Sequence, residues 1–97
     1  MEKLIIPEQD IINAICVYIS QKKQIKPEEV VVELMYDDDY GFSAEAYVND
    51  RKQVLITANI IEALRLWLDE FLNEDPYAGI ELVLDDEEGM IAIVKGR

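Results

Sequence analysis

Seven of the 21 acidic side chains of this sequence lie in two short runs. They are Asp37, Asp38 and Asp39 in the first run, and Asp85, Asp86, Glu87 and Glu88 in the second. Oxygen clusters of this kind suit a hard divalent cation. A calcium-binding loop is not indicated, because after the first run its glycine and bidentate glutamate positions hold Phe42 and Val48. The runs therefore predict solvated hairpin turns, with weak cation binding or attraction of a basic protein as alternatives.

The rest of the sequence offers little that could catalyse a reaction. It contains no histidine, which excludes nucleophile–histidine pairs and histidine metal ligands within the chain. The single cysteine, Cys16, lies at the edge of an apolar helical stripe, which favours a buried small hydrophobe over a nucleophile. The carboxylates fall in predicted turns, where solvent keeps them ionised. We therefore expect no enzyme activity, no catalytic residue and no cofactor.

The charge balance restricts the classes of partner. The chain has 97 residues with 21 acids and 9 bases, a formal net charge of −12. Such a charge disfavours direct binding to nucleic acid or to an anionic membrane. No apolar run approaches the length of a membrane span, and the start of the chain lacks the apolar core of a signal peptide. We expect one soluble domain over residues 1–97, in the cytoplasm.

Hydrophobic periodicity predicts two helices and five strands. The 3.6-residue period indicates helices over 7–23 and 58–73, the second begun by a cap at Thr57 or Asn59. Alternation of apolar and polar residues indicates strands over 28–36, 42–48, 52–56, 80–84 and 90–94.

The predicted order is α-β-β-β-α-β-β, which implies a two-layer α+β domain. We expect a mainly antiparallel five-stranded sheet with both helices packed on one face. If each element crosses this sheet once, both acidic runs lie at the same end of it.

Trp67, Phe71 and Leu72 share the wide apolar face of the second helix, so Trp67 is predicted to anchor the helix to the sheet. The alternative is that Trp67, together with a tyrosine, lines an exposed groove that binds a partner.

Two apolar residues lie away from the apolar stripes of the helices. On a helical wheel Leu66 falls among Asn59, Glu62 and Glu70, and Val17 falls near Asp10 on the first helix. Isolated exposed apolar side chains are common. One on each helix also fits a shared apolar spot that binds a partner, so Leu66 and Val17 are the candidate interaction residues.

Three segments carry a resemblance to a known family. The segments PEQDIINAIC, ELMYDDDYGFSAEAYV and LDDEEGMIAIV resemble the YxcD-like proteins, a family of small acidic proteins from Gram-positive bacteria. The resemblance covers essentially the whole chain. It implies a cytoplasmic bacterial housekeeping or accessory protein of unknown function, and it supplies no catalytic residue, binding residue or cofactor.

The leading functional expectation is an accessory protein that acts by protein–protein contact or self-association. One alternative is an acidic regulator that occupies the cationic site of a nucleic-acid-binding protein. The other is a weak divalent-cation binder at the two acidic runs.

Overall fold

The computed structural model describes residues 3–96. The fold is α+β, as predicted. The elements in chain order are β1 (Lys3–Ile6), α1 (Glu8–Lys23), a short 3-10 turn (Pro27–Glu29), β2 (Val30–Asp37), β3 (Gly41–Val48), β4 (Arg51–Ile56), α2 (Thr57–Glu70), β5 (Gly79–Asp85) and β6 (Gly89–Lys95).

The strands form two three-stranded antiparallel sheets, so the predicted single five-stranded sheet is wrong. One sheet has the order β2-β3-β4 and the other has the order β1-β6-β5. Alternation in the sequence identifies hairpins, but it carries no information on which hairpins share hydrogen bonds. The sixth strand, β1, was not predicted, because its four residues pair only with β6 at the far end of the chain.

Helix α1 begins one residue later than predicted. Pro7 is its N-cap, in extended conformation, and the Pro7 carbonyl accepts hydrogen bonds from Asp10 N and Ile11 N at 3.0 Å each. The helix ends where Gln24 adopts a left-handed conformation with φ of 57°. The predicted C-terminal limit at Lys23 is confirmed.

Helix α2 is shorter than predicted. Ile56 is its N-cap, so the predicted cap at Thr57 or Asn59 is wrong. Asn59 is the third helical residue, and its Oδ1 accepts a hydrogen bond from Ile56 N at 3.0 Å. At the other end Glu74 N donates to Leu68 O, with Asn73 at φ of 52°. Phe71 and Leu72 therefore follow the last helical residue, and they are 52% and 37% exposed rather than buried.

One hydrophobic cluster joins both sheets and both helices. Helix α1 packs on β2 and β6, helix α2 packs on β3 and β4, and the helices also contact each other. The largest fully buried side chains are Ile6, Ile11, Ile15, Ile19, Leu55, Ile60, Leu64 and Leu68. The predicted stripes of both helices thus supply most of the core, and the structure adds Ile6 of β1.

The face of the β2-β3-β4 sheet that points away from the core carries a polar cluster of three side chains. Tyr47 Oη donates to Glu45 Oε1 at 2.7 Å, and Lys52 Nζ lies 3.2 Å from Glu45 Oε2. The pKa of Glu45 lies below its ordinary value. The larger cause is the hydrogen bond from Tyr47, and the next is the contact with Lys52. The same bond raises the pKa of Tyr47.

Replacing Tyr47 with phenylalanine is therefore expected to raise the pKa of Glu45. Because the folded pKa lies below the unfolded one, this carboxylate stabilises the fold above its unfolded pKa, and the contribution disappears as pH falls through the folded pKa. Carboxyl-carbon NMR titration measures the change. Lys52→Gln should give a smaller rise and Tyr36→Phe none. A pKa of Glu45 that does not move in Tyr47→Phe would contradict the assignment.

Candidate functional site

A groove runs along the junction of the two helices. It encloses about 490 Å³ between α1, α2 and the segment that leads into β2. We call it the helical groove, and its lining residues are Gln9, Ile12, Asn13, Cys16, Val17, Pro27, Glu28, Val30, Trp67 and Phe71. Its volume falls in the range of pockets that hold a ligand or an anchoring side chain.

Two stacked aromatic rings form one wall of the helical groove. The rings of Trp67 and Phe71 lie with centroids 4.6 Å apart and an interplanar angle of 22°. Trp67 is half-buried against the core, whereas more than half of Phe71 is exposed. The pair follows from helical geometry, because Phe71 lies one turn after Trp67 and Phe71 N donates to Trp67 O at 2.9 Å as within a helix. An exposed aromatic ring held by a partly buried one is typical of a binding surface.

The indole N–H of Trp67 has no hydrogen-bond acceptor among residues 3–96, although the nitrogen is buried. A buried unsatisfied donor costs about 1–3 kcal/mol. The predicted role of Trp67 as a plain core anchor is therefore incomplete. The residue packs against the core and also lines the groove. The alternative role that the sequence left open thus has a groove beside Trp67, but its aromatic partner there is Phe71 and not the predicted tyrosine.

Cys16 lies in the wall formed by α1. Its Sγ donates to the carbonyl oxygen of Val30 at 3.5 Å, which ties α1 to the start of β2. Burial raises the pKa of the thiol. A raised pKa lowers the thiolate fraction at neutral pH, so the cysteine is poorly suited to act as a nucleophile.

The two candidate interaction residues line neighbouring grooves rather than one spot. Val17 is half-buried and lines the helical groove. Leu66 packs partly against the core and lines a second groove with Tyr18, Gln21, Lys22, Glu62 and Arg65.

Polar contacts hold the two helices together beside the second groove. Tyr18 Oη donates to Glu62 Oε1 at 3.2 Å, and Gln21 Nε2 donates to Glu70 Oε1 at 3.2 Å. Arg65 Nη1 donates to the carbonyl oxygens of Pro76 and Ala78, so this cation fixes the loop that follows α2. Hydrogen bonds thus join the two helices on the side of Leu66.

The two acidic runs form the same turn twice. Asp37 Oδ1 accepts hydrogen bonds from Asp39 N and Tyr40 N, at 2.7 and 3.2 Å. Asp85 Oδ2 accepts from Glu87 N and Glu88 N, at 3.0 and 2.9 Å. Each turn closes at a glycine with positive φ, Gly41 at 79° and Gly89 at 76°.

The first carboxylate of each run is therefore a turn former, as in other Asx turns. The remaining acids, Asp38, Asp39, Asp86, Glu87 and Glu88, are exposed. Within the described range no three potential ligands from Asp, Glu or Cys are grouped to hold a metal ion. The prediction that both runs lie at the same end of the sheet assumed a single sheet. That assumption is wrong, because the two hairpins belong to different sheets. Cation binding at the runs stays a prediction.

Substituting the two turn aspartates is expected to separate a structural role from a metal-binding role. Asp37→Ala and Asp85→Ala should each lower the free energy of unfolding by about 1 kcal/mol, because each removes the acceptor of two backbone N–H groups. Asp→Asn should retain most of the stability, since the amide oxygen accepts the same bonds. Urea denaturation measures both, with Asp38→Ala and Asp86→Ala as controls without effect. Equal losses for Asn and Ala would contradict this role.

The sequence did not reveal the aromatic wall of the groove. A helical wheel drawn to Asn73 places Phe71 on the buried face, but α2 ends at Glu70. The available signal was Asn73 followed by Pro76, which marks a helix ending with a left-handed residue. The repeated pattern of two aspartates, a third acid, any residue and glycine was the signal for the twin turns.

Comparison with known proteins gives a family but no activity. Residues 1–87 match the family described as "Protein of unknown function (DUF2653)". The chain is 39% identical over 94 residues to "Uncharacterized protein YxcD" of Bacillus subtilis (strain 168). The aligned region covers 95% of this chain and 92% of that protein. No solved structure matches the chain. No helix within residues 3–96 is both long and apolar enough to cross a membrane. The predicted resemblance is confirmed, and the chain belongs to the DUF2653 family of proteins of unknown function, with YxcD among its relatives.

Proposed function

We propose that this protein is a soluble, cytoplasmic accessory protein that binds a protein partner in the helical groove and catalyses no reaction. The observation that carries the proposal is the stack of Trp67 on the exposed Phe71, beside Val17. Large aromatic side chains dominate the binding energy of protein interfaces, and one that is held in place before binding loses little conformational entropy on contact.

The chemistry of the partner follows from the lining and from the charge. Ile12, Val17 and the aromatic pair suit an apolar side chain, and Glu28 stands at the rim of the same groove. The net charge of −12 favours basic residues around that apolar anchor. We therefore propose an amphipathic protein segment as the ligand. The same charge opposes nucleic acid and anionic membrane as direct partners.

Affinity capture with matched variants tests the proposal. Wild type, Phe71→Asp and Val31→Asp would be immobilised and exposed to the native lysate, and bound proteins quantified by mass spectrometry. Phe71 lines the groove, whereas Val31 is an exposed apolar residue that does not line it. We expect a partner that wild type and Val31→Asp retain and that Phe71→Asp loses.

A direct measurement completes this test. Trp67 is the sole tryptophan, so its fluorescence should shift when the purified partner fills the groove. Identical sets of captured proteins for Phe71→Asp and wild type, or a partner that leaves the fluorescence unchanged, would overturn the proposal.

A further inference from the structure

The face of the β1-β6-β5 sheet that points away from the core is apolar. Alternation along the strands places Ile5, Val83, Ile91 and Ile93 on this face, which we call the outer face. None of the four belongs to the hydrophobic core cluster. Ile5 is 56% exposed, Val83 and Ile93 are partly exposed, and Ile91 on the central strand is 9% exposed. The four side chains thus form a contiguous apolar patch outside the core.

The two ends of the outer face carry opposite charges. Lys3 and Lys95 pair across β1 and β6 at one end. Asp85 and Gly89 pair at the other end, where the acidic turn of Asp86, Glu87 and Glu88 begins. Lys95 also lies 3.7 Å from Glu81, and both side chains are more than half exposed. Two like charges directly opposite each other on neighbouring strands repel. Glu81, which pairs with Ile93 on the same face, offsets one of the two lysines, so this end keeps an excess of positive charge that an added anion stabilises.

This pattern is complementary to itself. Lys95 and Gly89 are six positions apart on β6, about 20 Å at 3.4 Å per residue. A two-fold axis that lies between the two sheets, at right angles to the strands and level with Ala92, exchanges the two ends. It brings Ile93 of one copy over Ile91 of the other, and it places Lys95 of each copy over Gly89, where its partner's acidic turn begins. We propose that the protein forms a homodimer through its outer face, with this antiparallel orientation.

The charge pattern and the area select a second copy and predict its affinity. A second copy of this chain places an acidic turn opposite the lysine end and lysines opposite the acidic end. It can do so even though acids exceed bases over the whole chain. Three strands about 4.8 Å apart and 20 Å long offer on the order of 300 Å². Stable interfaces bury about 800 Å² per partner, so the dimer is expected to be weak and concentration-dependent. None of the four apolar residues lines the helical groove, so this inference does not depend on the proposed function.

Sedimentation equilibrium over a wide range of concentration tests the dimer. Wild type should pass from the monomer mass of 11.2 kDa towards twice that value. Ile5→Asp should raise the dissociation constant at least about tenfold, a loss of 1.4 kcal/mol or more. The matched control is Val54→Asp, which alters an apolar residue of equal exposure on the other sheet, at 55%. It should leave the dimer intact, as should Phe71→Asp. A monomer at every concentration, or equal effects of Ile5→Asp and Val54→Asp, would overturn the proposal.

A charge exchange tests the orientation. Lys95→Glu and the double variant Glu87→Lys/Glu88→Lys should each be monomeric on its own. In a dimer of either variant, both symmetry-related contacts would bring like charges together. An equal mixture should recover the dimer, since both symmetry-related contacts then join opposite charges. Failure of the mixture to associate would refute the antiparallel arrangement. Circular dichroism of each variant confirms that the loss of the dimer is not a loss of folding.

Discussion

Replacing Gly89 with alanine is expected to lower the free energy of unfolding by about 2.5–5 kcal/mol, against about 1–2 kcal/mol for the same change at Gly41. Both glycines close a three-residue hairpin turn with almost the same positive φ. Alanine at either site is therefore strained to a similar degree. The difference between the two sites comes from what surrounds them.

A methyl group at Gly89 meets Glu8. A Cβ built there lies 2.5 Å from Glu8 Oε2, whereas nothing lies within 4 Å of a Cβ at Gly41. The carboxylate can move aside, but it accepts a hydrogen bond from Met90 N at 3.0 Å and would lose it. A hydrogen bond to a charged group contributes about 1.5–3 kcal/mol, which sets the extra loss at Gly89.

Urea denaturation of four variants tests this account. Gly89→Ala in a Glu8→Ala background should cost no more than Gly41→Ala, because the obstacle and the hydrogen bond are both absent. Glu8→Ala alone should cost about as much as the difference between the two glycine variants. Equal losses for Gly89→Ala and Gly41→Ala would show that the contact with Glu8 contributes nothing.

The second large effect is expected at Trp67. Trp67→Ala should lower the free energy of unfolding by about 2–4 kcal/mol, somewhat below the range for a fully buried tryptophan because the residue is half-buried. Trp67→Phe should cost less than about 1 kcal/mol, because it keeps an aromatic ring beside Phe71 and removes the buried N–H that lacks an acceptor.

Far-ultraviolet circular dichroism during urea denaturation measures both Trp67 variants without relying on the fluorescence that they lose. Phe71→Ala is the matched control and should cost less than Trp67→Ala, because its ring is more exposed. If phenylalanine at position 67 destabilised the protein as much as alanine, the indole N–H would be making a bond that matters to the fold.

The sequence predicted local structure well where one element determines it. The apolar stripe of α1 and the alternation in β2 and β3 depend only on residues within those elements, and each was located to within two residues. Such features follow from backbone conformation and hydrophobic periodicity alone.

The parts that the sequence did not predict depend on distant residues. The four residues of β1 show no long alternation, and they form a strand only because β6 offers a free edge. The division into two sheets is a choice between hairpin pairings that share the same local pattern. The exposure of Phe71 depends on where α2 ends, and this point is fixed by the bond from Glu74 N to Leu68 O. The candidate groove combines both helices and the start of β2, so no single segment could reveal it.

The pairing of β1 with β6 also has a consequence for biosynthesis. Glu8 and Met90, which join the start of α1 to this sheet, are 82 residues apart in the chain. At a synthesis rate of roughly 5–20 residues per second, the partner strand is made on the order of 4–16 s after β1. During that interval the apolar side chains of Leu4, Ile5 and Ile6 lack the β6 strand that pairs with them. The nascent chain can complete its β2-β3-β4 sheet early, but β1 must wait for the last strand before the fold can close.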